Sequence, residues 1–310
     1  MEAIRVENVS KDFPGTKALD NISFKVQKGS IHGFLGPNGA GKSTTIKIIS
    51  GLIPASKGEI YISGLELDGH REEVRSKIGL LPENPPLYLN MSVKDYLRFV
   101  WQAHTFKKNP KSQHYDQTLT RCGLQEVQNR LIGNLSKGLR QRVGIAASLI
   151  YDPEIIILDE PTVGLDPKAI GEIRSLIQDL KKHHTILFSS HQLAEVEKIC
   201  TDITVIHEGH ILKSGPIEEI RRELQTKQII RTELPRWNEG LKKLLFQKLS
   251  PFEIIEKGGQ EVLFYFDGPQ DVREKLICFL VENNCPPLEF AKQNYDLEEL
   301  FSLITSGRKQ

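Results

Sequence analysis

Short apolar runs separated by turn-forming pairs open the chain. Residues 4–9, 22–26 and 31–35 read as three strands, divided at Pro14-Gly15 and Lys28-Gly29. A glycine-rich stretch follows, and from Thr44 the positions Ile46, Ile48, Ile49 and Leu52 take a helical spacing that stops over 51–54. The local order is strand, glycine loop, helix. Between about residues 84 and 138 strand patterns vanish. Pro85-Pro86 opens this stretch, and Val93, Tyr96, Leu97, Val100 and Trp101, then Leu119, Cys122 and Leu124, recur at helical intervals.

Strand and helix then alternate again, with continuous apolar strands over 155–158 and 185–189 and helices over 168–182 and 192–200. Uninterrupted apolar strands suit a parallel sheet covered on both faces. Beyond about Leu224, strand patterns at 228–232, 253–256 and 261–266 alternate with helical ones at 238–249 and 272–282, and a short helix near 296–304 closes the chain. The pattern predicts two domains: 1–224, with a helical subdomain over about 84–140, and a small α+β domain over 225–310.

Composition narrows the function classes. A chain of 310 residues with 39% hydrophobic and 26% charged positions is an ordinary folded protein with room for two cores. Its 41 basic residues nearly balance 40 acidic ones, so no general field attracts nucleic acid, and none is expected as a partner. No run approaches the roughly 18 apolar residues of a membrane helix. The start, Met1-Glu2-Ala3-Ile4-Arg5, lacks a secretory pattern, so a cytoplasmic location is expected. Cys122, Cys200, Cys278 and Cys285 form no CxxC pair, which leaves no sign of a zinc site or disulfide framework.

The chemistry concentrates in two strings. Gly36-Pro37-Asn38-Gly39-Ala40-Gly41-Lys42-Ser43-Thr44 fits the phosphate-binding pattern G-x-x-x-x-G-K-[ST]. Its glycines let backbone N–H groups converge on phosphate oxygens at the positive end of a helix. Lys42 is placed to reach the β- and γ-phosphates, and Ser43 to ligate Mg²⁺. The second string, from Ile155 to Glu160, is an apolar strand that ends in two carboxylates. Asp159 would hold Mg²⁺, and Glu160 would orient and deprotonate an attacking water.

Further strings carry a resemblance. Leu135-Ser136-Lys137-Gly138-Leu139-Arg140-Gln141-Arg142 resembles the signature loop of ATP-binding cassette ATPases, Pro161 to Pro167 resembles their D-loop, and Ser189-Ser190-His191 resembles their switch histidine. The resemblance runs over roughly residues 3–215. It implies an α/β P-loop NTPase core of RecA type with an antiparallel β subdomain and a helical insertion. Position by position it implies that Phe13 stacks on adenine, that Asn38 and the loop of Gly36, Pro37, Gly39, Ala40 and Gly41 cradle phosphate through the N–H groups that loop offers, and that Thr44 meets the α-phosphate. Ser136 and Gly138 would bind the γ-phosphate of ATP held by a second copy, Asp166 would line that joint, and His191 would sense the γ-phosphate.

Two departures stand out. Glu83 occupies the place of the family's usual Gln beside nucleotide and metal, and the signature loop holds Lys137 and Leu139 where Gly and Gln are usual. The closing string from Tyr295 to Phe301 resembles the last helix of accessory domains on bacterial exporter cassettes. Taken whole, the resemblance implies an ATPase using ATP and Mg²⁺, paired head-to-tail with a second copy. It would sit on the inner face of the cell membrane and power a separate transmembrane permease, contacted through residues around 84–101, where loss of the Trp101 side chain is expected to lower transport and leave ATP binding intact. The alternative reading is a soluble cassette ATPase acting on ribosomes or DNA. A P-loop GTPase or small-molecule kinase would leave the signature loop without a purpose.

Overall fold

The computed structural model of the protein describes residues 1–105, 112–225, 227–251, 253–257, 260–267 and 272–293. β1 (Glu2–Phe13) and β2 (Thr16–Gln27) form a hairpin across Pro14-Gly15, longer at both ends than the apolar runs that announced it. β3 (Ile31–Leu35) follows, then α1 (Lys42–Ile49), β4 (Lys57–Ile62), β5 (Leu65–Glu66), α2 (Arg71–Ser76) and β6 (Ile78–Leu81). The expected helical stretch contains α3 (Val93–Thr105), α4 (Ser112–Cys122) and the start of α5 (Lys137–Leu149). Beyond it lie β7 (Ile155–Asp159), α6 (Pro167–Leu180), β8 (Thr185–Ser190), α7 (Leu193–Ile199), β9 (Asp202–His207) and β10 (His210–Pro216).

These strands build two sheets. The first is antiparallel, in the order β2-β1-β4-β5. The second runs β10-β9-β3-β8-β7-β6 and is parallel except for β10, which pairs antiparallel with β9. Every residue of β3, β7 and β8 is buried, as continuous apolar runs predict for inner parallel strands. Ile4, Ile22 and Ile62 of the antiparallel sheet share a core with Phe34, Ile155 and Leu187 of the parallel sheet and Ile46 of α1. This is the expected α/β core with its antiparallel subdomain and helical insertion. Register then aligns the chemistry: Leu35 lies beside Ser190 and Asp159 beside Ser189, so β3, β8 and β7 release their next residues along one edge.

Contacts divide the chain into Met1–Ile217 and Glu218–Gln310. α8 (Ile217–Gln225) leads into β11 (Lys227–Glu233), α9 (Glu239–Leu249), β12 (Glu253–Lys257), β13 (Glu261–Asp267), α10 (Arg273–Glu282) and β14 (Glu289–Gln293). The sheet is antiparallel, ordered β12-β13-β11-β14. Alternation along β11 sends Ile230 to the face where Leu245 of α9 and Leu276, Phe279 and Leu280 of α10 pack, and Ile229 to the other. Asn238 caps α9 by accepting from the Leu241 N–H at 3.0 Å. The helix expected near 296–304 lies outside the described residues. All four cysteines are free; Cys122, Cys200 and Cys285 are buried and Cys278 is exposed.

Candidate functional site

The edge where β3, β7 and β8 end is where ligands bind in open α/β sheets. The loop from Gly36 to Gly41 leaves β3 there and starts α1. Its glycines are required by space and conformation: a Cβ on Gly36 would lie 2.4 Å from the Ile206 carbonyl oxygen, and Gly41 has φ of 109° with Leu19 only 2.7 Å from a Cβ position. A cleft of about 570 Å³ opens over this loop. Pro37, Asn38, Gly39, Gly41, Lys42, Ser43, Thr44, Glu83, Glu160 and His191 line it, gathered from four separate stretches of chain.

Lys42 is 6% exposed, and its Nζ donates to the carbonyls of Gly36 at 2.6 Å and Pro37 at 3.2 Å. The same ammonium lies 3.2 Å from Oε1 of Glu160. Glu160, 5% exposed, has its other oxygen 2.8 Å from Nδ1 of His191. A carboxylate only accepts, so Nδ1 carries the proton of this bond. Asp159 lies beneath, 5% exposed, accepting from the Ser189 hydroxyl at 2.6 Å, and that hydroxyl accepts in turn from the Glu160 N–H at 2.9 Å. Glu160 has φ of 49°, an uncommon left-handed conformation for a residue with a side chain. Cation, carboxylate and imidazole therefore meet in one water-accessible cleft, an arrangement chemically able to hold phosphate and to polarise a water.

Not every expected residue reaches the cleft. Phe13 is 43% exposed at the hairpin tip, with Lys11 Nζ 5.2 Å from its ring centre, and does not line it. Ser136 caps α5 by accepting from the Leu139 N–H at 3.3 Å, and Asp166 caps α6 by accepting from the Ala169 N–H at 2.9 Å. Neither they nor Gly138, whose Cβ position lies 3.2 Å from Ala169, borders the Lys42 cleft. Ala40 is buried in the loop's base. Conversely, Thr16, Lys17, Ala18, Val163, Glu208 and Gly209 line the cleft without having been named for it; Val163 falls inside the D-loop-like string and Glu208-Gly209 is turn-forming, whereas Thr16 to Ala18 carry no local signal. Among the described residues no group of three or more His, Cys, Asp or Glu could hold a metal alone. The oxygen donors present, the Ser43 hydroxyl and the Glu83 and Asp159 carboxylates, suit a hard cation that also takes ligands from phosphate.

A parallel sheet with a phosphate loop after one strand and a carboxylate pair after another defines a P-loop nucleotide hydrolase. Comparison with known proteins makes this narrower. A family described as ABC transporter matches residues 19–163. The bacitracin transport ATP-binding protein BcrA of Bacillus licheniformis is 33% identical over 312 residues, covering 98% of this chain and 97% of that protein. The lantibiotic transport ATP-binding protein SrtF of Streptococcus pyogenes is 38% identical over 230 residues, covering 73% of this chain and 97% of its own. The solved dimeric structure of MJ0796, a bacterial ABC transporter cassette, matches with a TM-score of 0.63 at 25% identity, over 69% of this chain and 98% of that one. The chain belongs to the ABC transporter family and is an ATP-hydrolysing, nucleotide-binding subunit. No helix among the described residues is long and apolar enough to cross a membrane.

Proposed function

We propose that the chain drives export through a separate transmembrane permease by closing and opening a head-to-tail pair of its own copies around ATP. The observation that carries this reading is the convergence of Lys42, Glu160 and His191 in one cleft while Ser136, Gly138 and Asp166 stay outside its lining. One copy thus presents two half-sites, and two copies related by a two-fold axis complete both. The loop amides and Lys42 hold the phosphates, and Asn38 and Thr44 flank them. Phe13 meets adenine from the hairpin tip. Glu160 takes the proton of the attacking water, and His191, bonded to Glu160, contacts the γ-phosphate. Ser43, Asp159 and Glu83 would hold Mg²⁺, which would supply charge neutralisation of the phosphates. Loss of the γ-phosphate removes what both copies grip, and the pair opens.

A second cleft, of about 440 Å³, suits the permease. Tyr88, Tyr96, Phe99, Val100, His104 and Tyr151 line it together with prolines and leucines, and none of its lining residues is Asp, Glu, Lys or Arg. His104 stacks on Tyr151 with ring centres 3.9 Å apart, and burial pushes its pKa down. An apolar cytoplasmic helix of a membrane protein fits this lining. Trp101 is not part of it, its ring lying 6.1 Å from that of His114, and within the expected stretch 84–101 Tyr88 and Phe99 are the residues that line the cleft. The names of BcrA and SrtF support transport as the work the chain powers; export is the direction of this reading, with the chain on the inner face of the membrane and cargo choice left to the permease. Affinity purification from detergent-solubilised membranes tests the reading. A polytopic membrane protein in near-equal amount is expected; ribosomal proteins or nucleic acid without one would overturn it.

A further inference from the structure

Glu195 has no role in the reaction described so far, yet it is 6% exposed. Removing a carboxylate from water is costly unless donors meet it. The donor is Thr162, itself 7% exposed, whose hydroxyl lies 2.5 Å from Glu195 Oε2. Among the described residues Glu195 makes no ion pair with Lys, Arg or His. A buried carboxylate held by one neutral hydroxyl is a poor source of stability, so its use is sought in what the bond joins.

Thr162 lies in the turn that runs from Glu160 to Asp166. Glu195 lies in the first turn of α7, directly after the His191 segment. The same two segments are already tied twice: Ser189 bonds both Asp159 and the Glu160 N–H, and His191 bonds the Glu160 carboxylate. The Thr162–Glu195 bond closes the ladder on the far side of Glu160. Between the rungs sits the left-handed backbone of Glu160, a conformation its surroundings must hold.

We propose that Glu195 is a positioning residue for ATP hydrolysis. Through Thr162 it fixes the turn after Glu160, and with that turn the aim of the Glu160 carboxylate at its water and at His191. The turn ends at Asp166, the cap of α6, so a shift of the Asp166 end against a second copy reaches Glu160 without any partner atom touching it. This inference rests on Glu160 acting as the base, as proposed above.

Steady-state ATP hydrolysis by the purified full chain decides it, in a cycle of Thr162→Val, Glu195→Ala and their combination, with Thr162→Ser as the conservative change. Each single change is expected to lower kcat about tenfold with KM within about twofold, the signature of lost transition-state alignment. The double variant is expected to fall no further than the worse single one, and Thr162→Ser to recover most of the rate. Wild-type kcat in Thr162→Val, or losses that multiply in the double variant, would overturn the proposal. Should Glu195→Ala fail to fold, Glu195→Met fills the space without the acceptor and carries the same expectation. Glu160→Gln separates the two layers. Retained hydrolysis there removes Glu160 from the base role, whereas hydrolysis lost there but intact in Thr162→Val sinks this inference alone.

Discussion

His32 stands on β3, the strand that delivers the phosphate loop, with 1% of its surface exposed and Nε2 2.7 Å from the Thr204 hydroxyl. Burial pushes its pKa down to about 4. Between that value and the ordinary one near 6.5, the unfolded chain binds a proton that the folded chain refuses. The contribution to stability is therefore complete above about pH 6.5 and is lost as pH falls toward about 4. At roughly 1.4 kcal/mol for each pKa unit, up to about 3 kcal/mol is at stake. Urea unfolding of His32→Gln is expected to show a shallower loss of stability across this window than the parent. Equal slopes would place the acid sensitivity on another group.

At the scale of elements, α3 decides how the second cleft is used. Tyr96, Phe99, Val100 and His104 fall on one side of it and line the cleft, while Trp101 turns toward His114 of α4. Phe99, 44% exposed, offers a ring that an incoming apolar helix would cover. Phe99→Ala is expected to leave ATP hydrolysis by the isolated chain within about twofold while reducing co-purification of the membrane partner several-fold, given the 1–2 kcal/mol or more that a buried interface aromatic carries. Undiminished co-purification would remove the cleft from the interface. Periodicity showed α3 but could not show which of its apolar faces met α4 and which stayed open, the difference that separates Trp101 from Phe99.

The same limit explains what else was legible. β7 and β8 announce themselves because every residue is buried. β4, β6 and the β9–β10 hairpin passed without assignment: β4 begins with exposed Lys57-Gly58-Glu59, and β6 has only four residues. β14, Glu-Phe-Ala-Lys-Gln, pairs among the described residues only with β11 and has no apolar alternation to mark it. In the site, residues carried by contiguous strings were readable, from Gly36 to Thr44 and at Asp159, Glu160 and His191. Thr16 to Ala18, Glu208 and the Thr162–Glu195 bond were not, because each depends on segments that meet only in three dimensions.

For the whole molecule, the separation of Lys42 from Ser136 can be read by mixing. A Lys42→Ala chain and a Ser136→Arg chain are each expected to be nearly inactive. Combined in equal amounts, copies paired head-to-tail as proposed would form mixed pairs in which one site joins an intact Lys42 to an intact Ser136. If the sites work independently, such mixing restores up to about a quarter of the wild-type rate, since half the pairs are mixed and each has one good site. No recovery in a mixture shown to contain mixed pairs would argue against a head-to-tail arrangement.

The four cysteine sulfurs differ in one further respect. Burial pushes the Cys122 and Cys200 thiols up, so these two offer little thiolate, and Cys285 is buried with its thiol donating to the Arg236 carbonyl, so all three offer little access. Cys278, on α10, is open. A maleimide dye or spin label added to the natural sequence under mild conditions would thus attach once per chain, and always within the second unit. Distance measurements between two copies could then follow that unit through the ATP cycle without any engineered cysteine.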